Sequence, residues 1–176
     1  MLLGILNSQA AGGAAGAFDL LESTTLTSTA SSVTFSGLGA YSDYKHLQIR
    51  AVVRGSTNAE MQIQYNDVAG GGYVAHQLYG DGSSVTSAAQ TGRGEGVIGK
   101  IGTTANVFSA FVTDILDFAS ANKKTTSRSL ASEETSKVLL DSSLYYGTNN
   151  AVTKIKVFCG IGTMQIGSRL SLYGVK

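Results

Sequence analysis

An alternation of apolar and polar residues between Tyr44 and Arg54 constrains the fold most strongly. In an extended chain, every second side chain lies on the same side. The apolar set is Leu47, Ile49, Ala51 and Val53. The polar set is His46, Gln48 and Arg50. The pattern predicts a strand with one side in a core and the other facing water or an interface.

The same alternation recurs along most of the chain and predicts roughly ten short strands. The segments are 18–26, 32–35, 45–54, 61–65, 76–79, 96–101, 107–118, 124–130, 137–146, 154–159 and 169–173. We expect the first two to pair, and 107–118, apolar on both faces, to be a central strand. Only 119–123 and 133–137 suit a single helical turn. These features predict an all-β fold, an antiparallel β-sandwich that is jelly-roll-like.

Size and charge limit the classes of partner. The 176 residues suit one domain, which we place at residues 17–176. Charged residues make up 14% and the net charge is +1, so no electrostatic footprint for nucleic acid or an anionic membrane is expected. The single Cys159 excludes an internal disulfide and lies in phase with apolar neighbours, which predicts a small buried side chain.

The first sixteen residues differ in character from the rest. An apolar tip is followed by the glycine-rich segment 12–16, which predicts a flexible N-terminal arm over residues 1–16. Such a segment is either a disordered terminus, the commoner case, or an arm that docks on a neighbouring subunit. The apolar cluster favours the docking arm, whose predicted interface residues are Leu2, Leu3, Ile5 and Leu6.

Patterns that would indicate catalysis or metal binding are incomplete. Gly94–Ile101 resembles a phosphate-binding loop but has Ile101 where the magnesium-binding hydroxyl is needed. His46 and His76 have no metal-ligand spacing. Asp114 and Asp117 lie three residues apart on an extended run, so they point to opposite faces. We therefore predict a protein that is not an enzyme and has no catalytic, cofactor-binding or metal-binding residues.

Eight tyrosines are the remaining candidates for a binding site. Exposed tyrosines beside amides suit both sugar binding and protein interfaces. Most are more simply explained as half-buried strand residues, and the absence of Trp weakens the sugar-binding hypothesis.

Several short motifs occur in an order that is familiar. They are residues 18–23, 33–36, 44–50, 76–82, 114–118 with Asn122 and Lys123, and 170–174. The series resembles a family of small virion structural proteins encoded by tailed bacteriophages, and it extends from about residue 17 to the end. The resemblance implies a particle component, located in the virion, with no catalytic residues to carry over.

These observations together predict a non-enzymatic phage virion protein. The first hypothesis is a capsid decoration or cement protein that stabilises the particle as a homo-oligomer, such as a trimer, with the major capsid protein or tail proteins as partners. The alternative is a tail fibre, spike or baseplate module that contacts host surface glycans.

The strand at residues 45–54 gives a direct test of the alternation. Leu47→Asp should abolish folding because it places a charge in the core, whereas His46→Ala should change stability little. Urea unfolding followed by circular dichroism measures both. Greater damage from His46→Ala would show that the two faces were assigned wrongly.

Overall fold

The structure, a computed structural model, describes residues 16–134, 138–145, 147 and 149–176. Twelve strands and one short 3-10 helix, Leu38–Tyr41, occur within these residues. The strands are β1 Phe18–Thr25, β2 Ser32–Ser36, β3 His46–Val53, β4 Ala59–Tyr65, β5 Tyr73–Gly80, β6 Val85–Arg93, β7 Gly96–Ile101, β8 Ser109–Leu116, β9 Thr125–Ser132, β10 Val138–Tyr145, β11 Lys154–Cys159 and β12 Arg169–Val175.

The strands form two antiparallel sheets in a jelly-roll-like sandwich. One sheet has the order β1-β12-β3-β8-β9-β10-β5-β6, and the other has the order β2-β11-β4-β7. Chain neighbours β1, β2, β3 and β4 alternate between the sheets, as do β7 and β8 and later β11 and β12. This alternation is the connectivity of an eight-stranded jelly roll. Strands β9, β10, β5 and β6 are additions that extend the first sheet beyond β8.

The core lies between the two sheets and contains the apolar side of most strands. In β3 the four residues of the apolar set are all buried, and Arg50 on the opposite side is exposed. Strands β11 and β4 contribute in the same way through Ile155, Val157 and Ile63. In these three strands the alternation in the sequence therefore corresponds directly to the two faces of the strand.

Strand β7 packs unusually close to the added strands β9 and β10. A Cβ atom on Gly96 would lie 2.9 Å from the Cβ of Ser143, and one on Gly99 would lie 3.1 Å from the Cβ of Ala131. The hydroxyl of Ser143 accepts a hydrogen bond from Val97 N–H (2.9 Å) and donates one to its carbonyl oxygen (3.0 Å). The added strands therefore cover β7, an edge strand of the smaller sheet.

Most predicted strands are confirmed, and 96–101 and 154–159 have the predicted bounds. The expected pairing of the first two strands is wrong, because β1 pairs with β12 and β2 pairs with β11 in the other sheet. Strand β8 is central, but its second face is open to solvent rather than packed. Residues 119–123 are the end of a turn followed by bends instead of a helical turn, and β6 was not predicted at all.

The described residues contain no helix long and apolar enough to cross a membrane.

The close approach of β7 predicts a large effect at Gly96. Gly96→Ala places a methyl group against Ser143 and Ile63, so we expect it to destabilise the fold by about 1–3 kcal/mol. Gly39→Ala is the matched control, since no atom lies within 4 Å of its added Cβ. Urea unfolding compares the two variants with the wild type. Equal stability of all three would contradict the close packing.

Candidate functional site

The outer face of the eight-stranded sheet, the side away from the smaller sheet, carries an exposed aliphatic row. Val112, Leu130, Leu140 and Leu78 are successive cross-strand partners on β8, β9, β10 and β5. Their exposed fractions are 39%, 55%, 51% and 44%. Isolated exposed aliphatic residues are ordinary, but a contiguous row on one sheet face indicates an interaction surface. We call these four residues the outer row.

The close packing of β7 explains why the leucine of β9 lies on the outer side. The inner side of β9 has room only for small side chains, and it carries the buried residues Thr125, Ser127, Ser129 and Ala131. Its large apolar residue, Leu130, is on the outer side. In these added strands the usual arrangement, apolar inside and polar outside, is therefore partly reversed.

A chain of polar side chains runs beside the outer row. Arg50 Nε donates a hydrogen bond to Gln48 Oε1, and Gln48 Nε2 donates to Asp114 Oδ1, both at 2.7 Å. Arg128 Nε lies 3.3 Å from the other oxygen of the Asp114 carboxylate. Because Gln48 is buried and is bonded through both its amide oxygen and its amide nitrogen, this chain restrains the guanidinium group of Arg50.

Two grooves lie on this face, on either side of the outer row. The first has a volume of about 600 Å³ and is lined by residues that include Arg50, Arg169 and Tyr173. The second, about 540 Å³, is lined by Asp114, Arg128 and Leu140 among others. Val112 and Leu130 line both grooves. The face therefore combines aliphatic contacts with charged groups at the rim, an arrangement typical of a protein interface.

Arg50 is further fixed by two aromatic rings. Its guanidinium carbon lies 4.8 Å from the centroid of Phe18 and 4.4 Å from that of Tyr173. Both rings lie on the outer face, on β1 and β12. Cation–π contacts of this kind restrain an exposed arginine without neutralising it.

A buried carboxyl group lies on the inner side of β10. Asp141 is 3% exposed, and among the described residues neither of its oxygens meets the geometry of a hydrogen bond. Burial raises its pKa to about 6, an effect larger than the lowering by the side-chain amide of Gln77 on β5. Glu60 raises the pKa further and Lys100 lowers it. Asp141 is thus a source of pH-dependent stability.

The histidines and aspartates singled out in the sequence lie apart. His46 accepts a hydrogen bond at Nδ1 from Asp117 N–H (2.9 Å), which gives it a structural role that the sequence did not reveal. His76 is exposed on β5, four strands away. Asp114 is on the outer face, whereas Asp117 lies in the turn after β8 and pairs with Lys123. Within the described residues no cluster of three or more metal-binding side chains is present.

The structure also decides two further interpretations of the sequence, those of Cys159 and of the near match to a phosphate-binding loop. Cys159 packs against Met61, and burial raises the pKa of its thiol to about 11. It is a small buried side chain, as predicted. The near match to a phosphate-binding loop is strand β7, whose glycines permit close packing against β9 and β10.

None of the tyrosines that the structure describes is fully exposed. Tyr65, Tyr73 and Tyr145 form a buried cluster with ring centroids 4.8–6.1 Å apart. Tyr41, Tyr44, Tyr79 and Tyr173 are half-buried, and Tyr146 lies outside the described residues. Of these side chains, only Tyr173 lines a groove of the outer face.

The predicted arm residues Leu2, Leu3, Ile5 and Leu6 also lie outside the described residues. The outer row was not identified from the sequence. Leu130, which lies between Ser129 and Ala131, was the available signal.

Comparison with known proteins does not assign this chain to a family. Neither the family models nor the curated proteins compared with this chain match it. The crystal structure of the Caenorhabditis elegans galectin LEC-6 aligns with 94% of this chain and 99% of that chain, at 10% sequence identity and a TM-score of 0.32. Similarity at this level carries no argument about fold or function.

Asp141 generates a pH-dependent prediction. Its pKa is higher in the folded than in the unfolded chain, so its stabilising contribution is complete below about pH 4 and is lost as the pH rises through about 6. Asp141→Asn should therefore exceed the wild type in stability at pH 8, by up to about 3 kcal/mol, and match it near pH 4. Urea unfolding across this pH range measures the difference.

Asp81→Asn is the control, because the contribution of Asp81 to stability should have the opposite pH dependence. The backbone N–H groups of Ser84 and Ser83 donate to the Asp81 carboxylate and lower its pKa. Its contribution is present above about pH 4 and is lost as the pH falls. This variant should be less stable than the wild type at pH 8. Parallel pH profiles for Asp141→Asn and the wild type would contradict the assignment.

Proposed function

We propose that this chain is a non-enzymatic structural protein of a bacteriophage virion, most specifically a decoration or cement protein of the capsid. The ordered series of motifs between residues 18 and 174 supports the virion assignment through its resemblance to a phage family. The observation that carries the assembly role is the outer row. An exposed aliphatic surface beside fixed arginines suits contacts between subunits more than it suits catalysis.

The outer row is the docking surface in this proposal, and the N-terminal arm of a neighbouring copy is its occupant. Leu2, Leu3, Ile5 and Leu6 supply aliphatic side chains that match the chemistry of the row. Residues 7–16 span about 33 Å when extended. Three strand spacings separate β1 from β8, which is about 14 Å. The connecting segment is therefore longer than the width of sheet between β1 and the outer row, and in this proposal the row that it reaches belongs to an adjacent subunit.

The same face supports a second candidate, a tail module that binds host glycans. Tyr173, Arg50 and Arg169 line the first groove, where a sugar ring can stack and form hydrogen bonds. Copy number separates the candidates: hundreds per particle, in proportion to the major capsid protein, support decoration, and a few dozen or fewer support a tail component. Glycan-array binding that is lost in Tyr173→Ala would favour the glycan-binding module.

Self-association of the full chain tests the arm and the outer row together. The wild type should associate, and both deletion of residues 1–16 and Leu130→Asp should raise the dissociation constant at least about tenfold, because each removes one side of the aliphatic contact. Sedimentation velocity over a concentration series measures this.

Ile161→Asp is the matched control. Ile161 is 61% exposed, but it lies in the loop after β11, away from the outer row. Its substitution should leave association unchanged, and circular dichroism should show that all variants keep the strand content. Unchanged association after deletion of the arm would overturn the docking proposal.

A further inference from the structure

Strand β6 is an edge of the eight-stranded sheet and is exposed along almost its whole length. The N–H of Asp81 donates to the carbonyl oxygen of Ser84 (3.3 Å), which closes the hairpin between β5 and β6. Ladder pairs alternate from that point between hydrogen-bonded and non-hydrogen-bonded. The N–H and C=O groups that point away from β5 are therefore those of Val85, Ser87 and Ala89. Among the described residues, no strand pairs with this side.

The other edge strands are protected, but β6 is not. Strand β1 carries Asp19 and Glu22 and has a register shift between Leu20 and Glu22. Strand β2 has only five residues, and β7 is covered by β9 and β10. In β6 the only charged residue is Arg93 at its end, which forms salt bridges with Glu60 and Glu95. A long, uncharged edge with free backbone groups is a site for pairing with another strand.

We propose that β6 pairs antiparallel with β6 of a second copy, across a two-fold axis at Ser87. This register places Val85 of one copy opposite Ala89 of the other, so a large apolar side chain meets a small one at both ends. Val85 is 74% exposed, the highest value among the exposed large hydrophobic residues of the described chain, and the pairing covers it. The residues from Val85 to Thr91 carry no charge, so the edge is compatible with itself.

The pairing is expected to be weak on its own. The three outward residues of each copy exchange about six backbone hydrogen bonds, and the buried area is at the low end for specific interfaces. We therefore expect a dissociation constant in the micromolar range or above. The contact uses the sheet edge rather than the outer row. The β6 pairing can therefore be tested independently of the docking of the arm.

Amide hydrogen exchange of the full chain, followed by NMR across a protein concentration series, tests this directly. The amides of Val85, Ser87 and Ala89 should exchange fast at low concentration and become protected as concentration rises. Those of Thr86 and Ala88 bond to β5 and should be protected throughout. If self-association leaves the outward amides unprotected, or if the chain is monomeric at millimolar concentration, the proposal is overturned.

Two variants address the same edge. Ser87→Pro removes an outward N–H without removing a bond to β5, and Ser87→Lys places like charges beside the axis while keeping the N–H. Both should raise the dissociation constant of the pairing at least tenfold and abolish the protection. Ser31→Lys, an exposed change outside this sheet, is the control and should have no effect. Protection at Val85 that persists in Ser87→Lys would contradict the two-fold pairing.

Discussion

The close approach of β7 to β9 and β10 is the constraint on which the rest of the structure depends. Gly96 and Gly99 remove the side chains that would hold the strands apart, and Ser143 satisfies the backbone of Val97. At this separation the side of β9 that faces β7 has room for Ser, Thr and Ala, whereas β10 places Ser143 at the contact and keeps the larger Leu139 buried on the same side. Leu130 consequently lies on the outer face of β9, and its cross-strand partner Leu140 lies beside it on β10.

The added strands therefore have two consequences for the surface. They protect β7, which would otherwise be an exposed edge of the smaller sheet, and they move the exposed edge of the larger sheet out to β6. They also supply Leu130, Leu140 and Leu78 of the outer row, next to Val112 and Arg50 of the jelly roll. The proposed assembly surfaces both arise from this extension, whereas the core residues of β3, β4 and β11 define the sandwich itself.

The fold class could be predicted because alternation reports which side of a strand is buried, as at Leu47 and Ile155. Strand β6 could not be predicted in this way, since an exposed edge needs no apolar side and its sequence, rich in Ser, Thr and Ala, shows none. The buried carboxyl of Asp141 also escaped prediction, because its position in β10 resembles that of a polar residue on a solvent face. The structural role of His46 depends on Asp117, which is distant in the sequence.

The sequence by itself determined that the chain is all-β, that β3 has a buried and an open side, and that Cys159 is an inert core residue. These properties follow from local periodicity, which requires no knowledge of neighbours. Only the tertiary structure decided which strands adjoin, that Leu130 and Leu140 face outward, and that β6 is an open edge. Those properties depend on the distance between strands far apart in sequence. The side-chain size that one strand can place inside is set by how closely the facing strand packs against it.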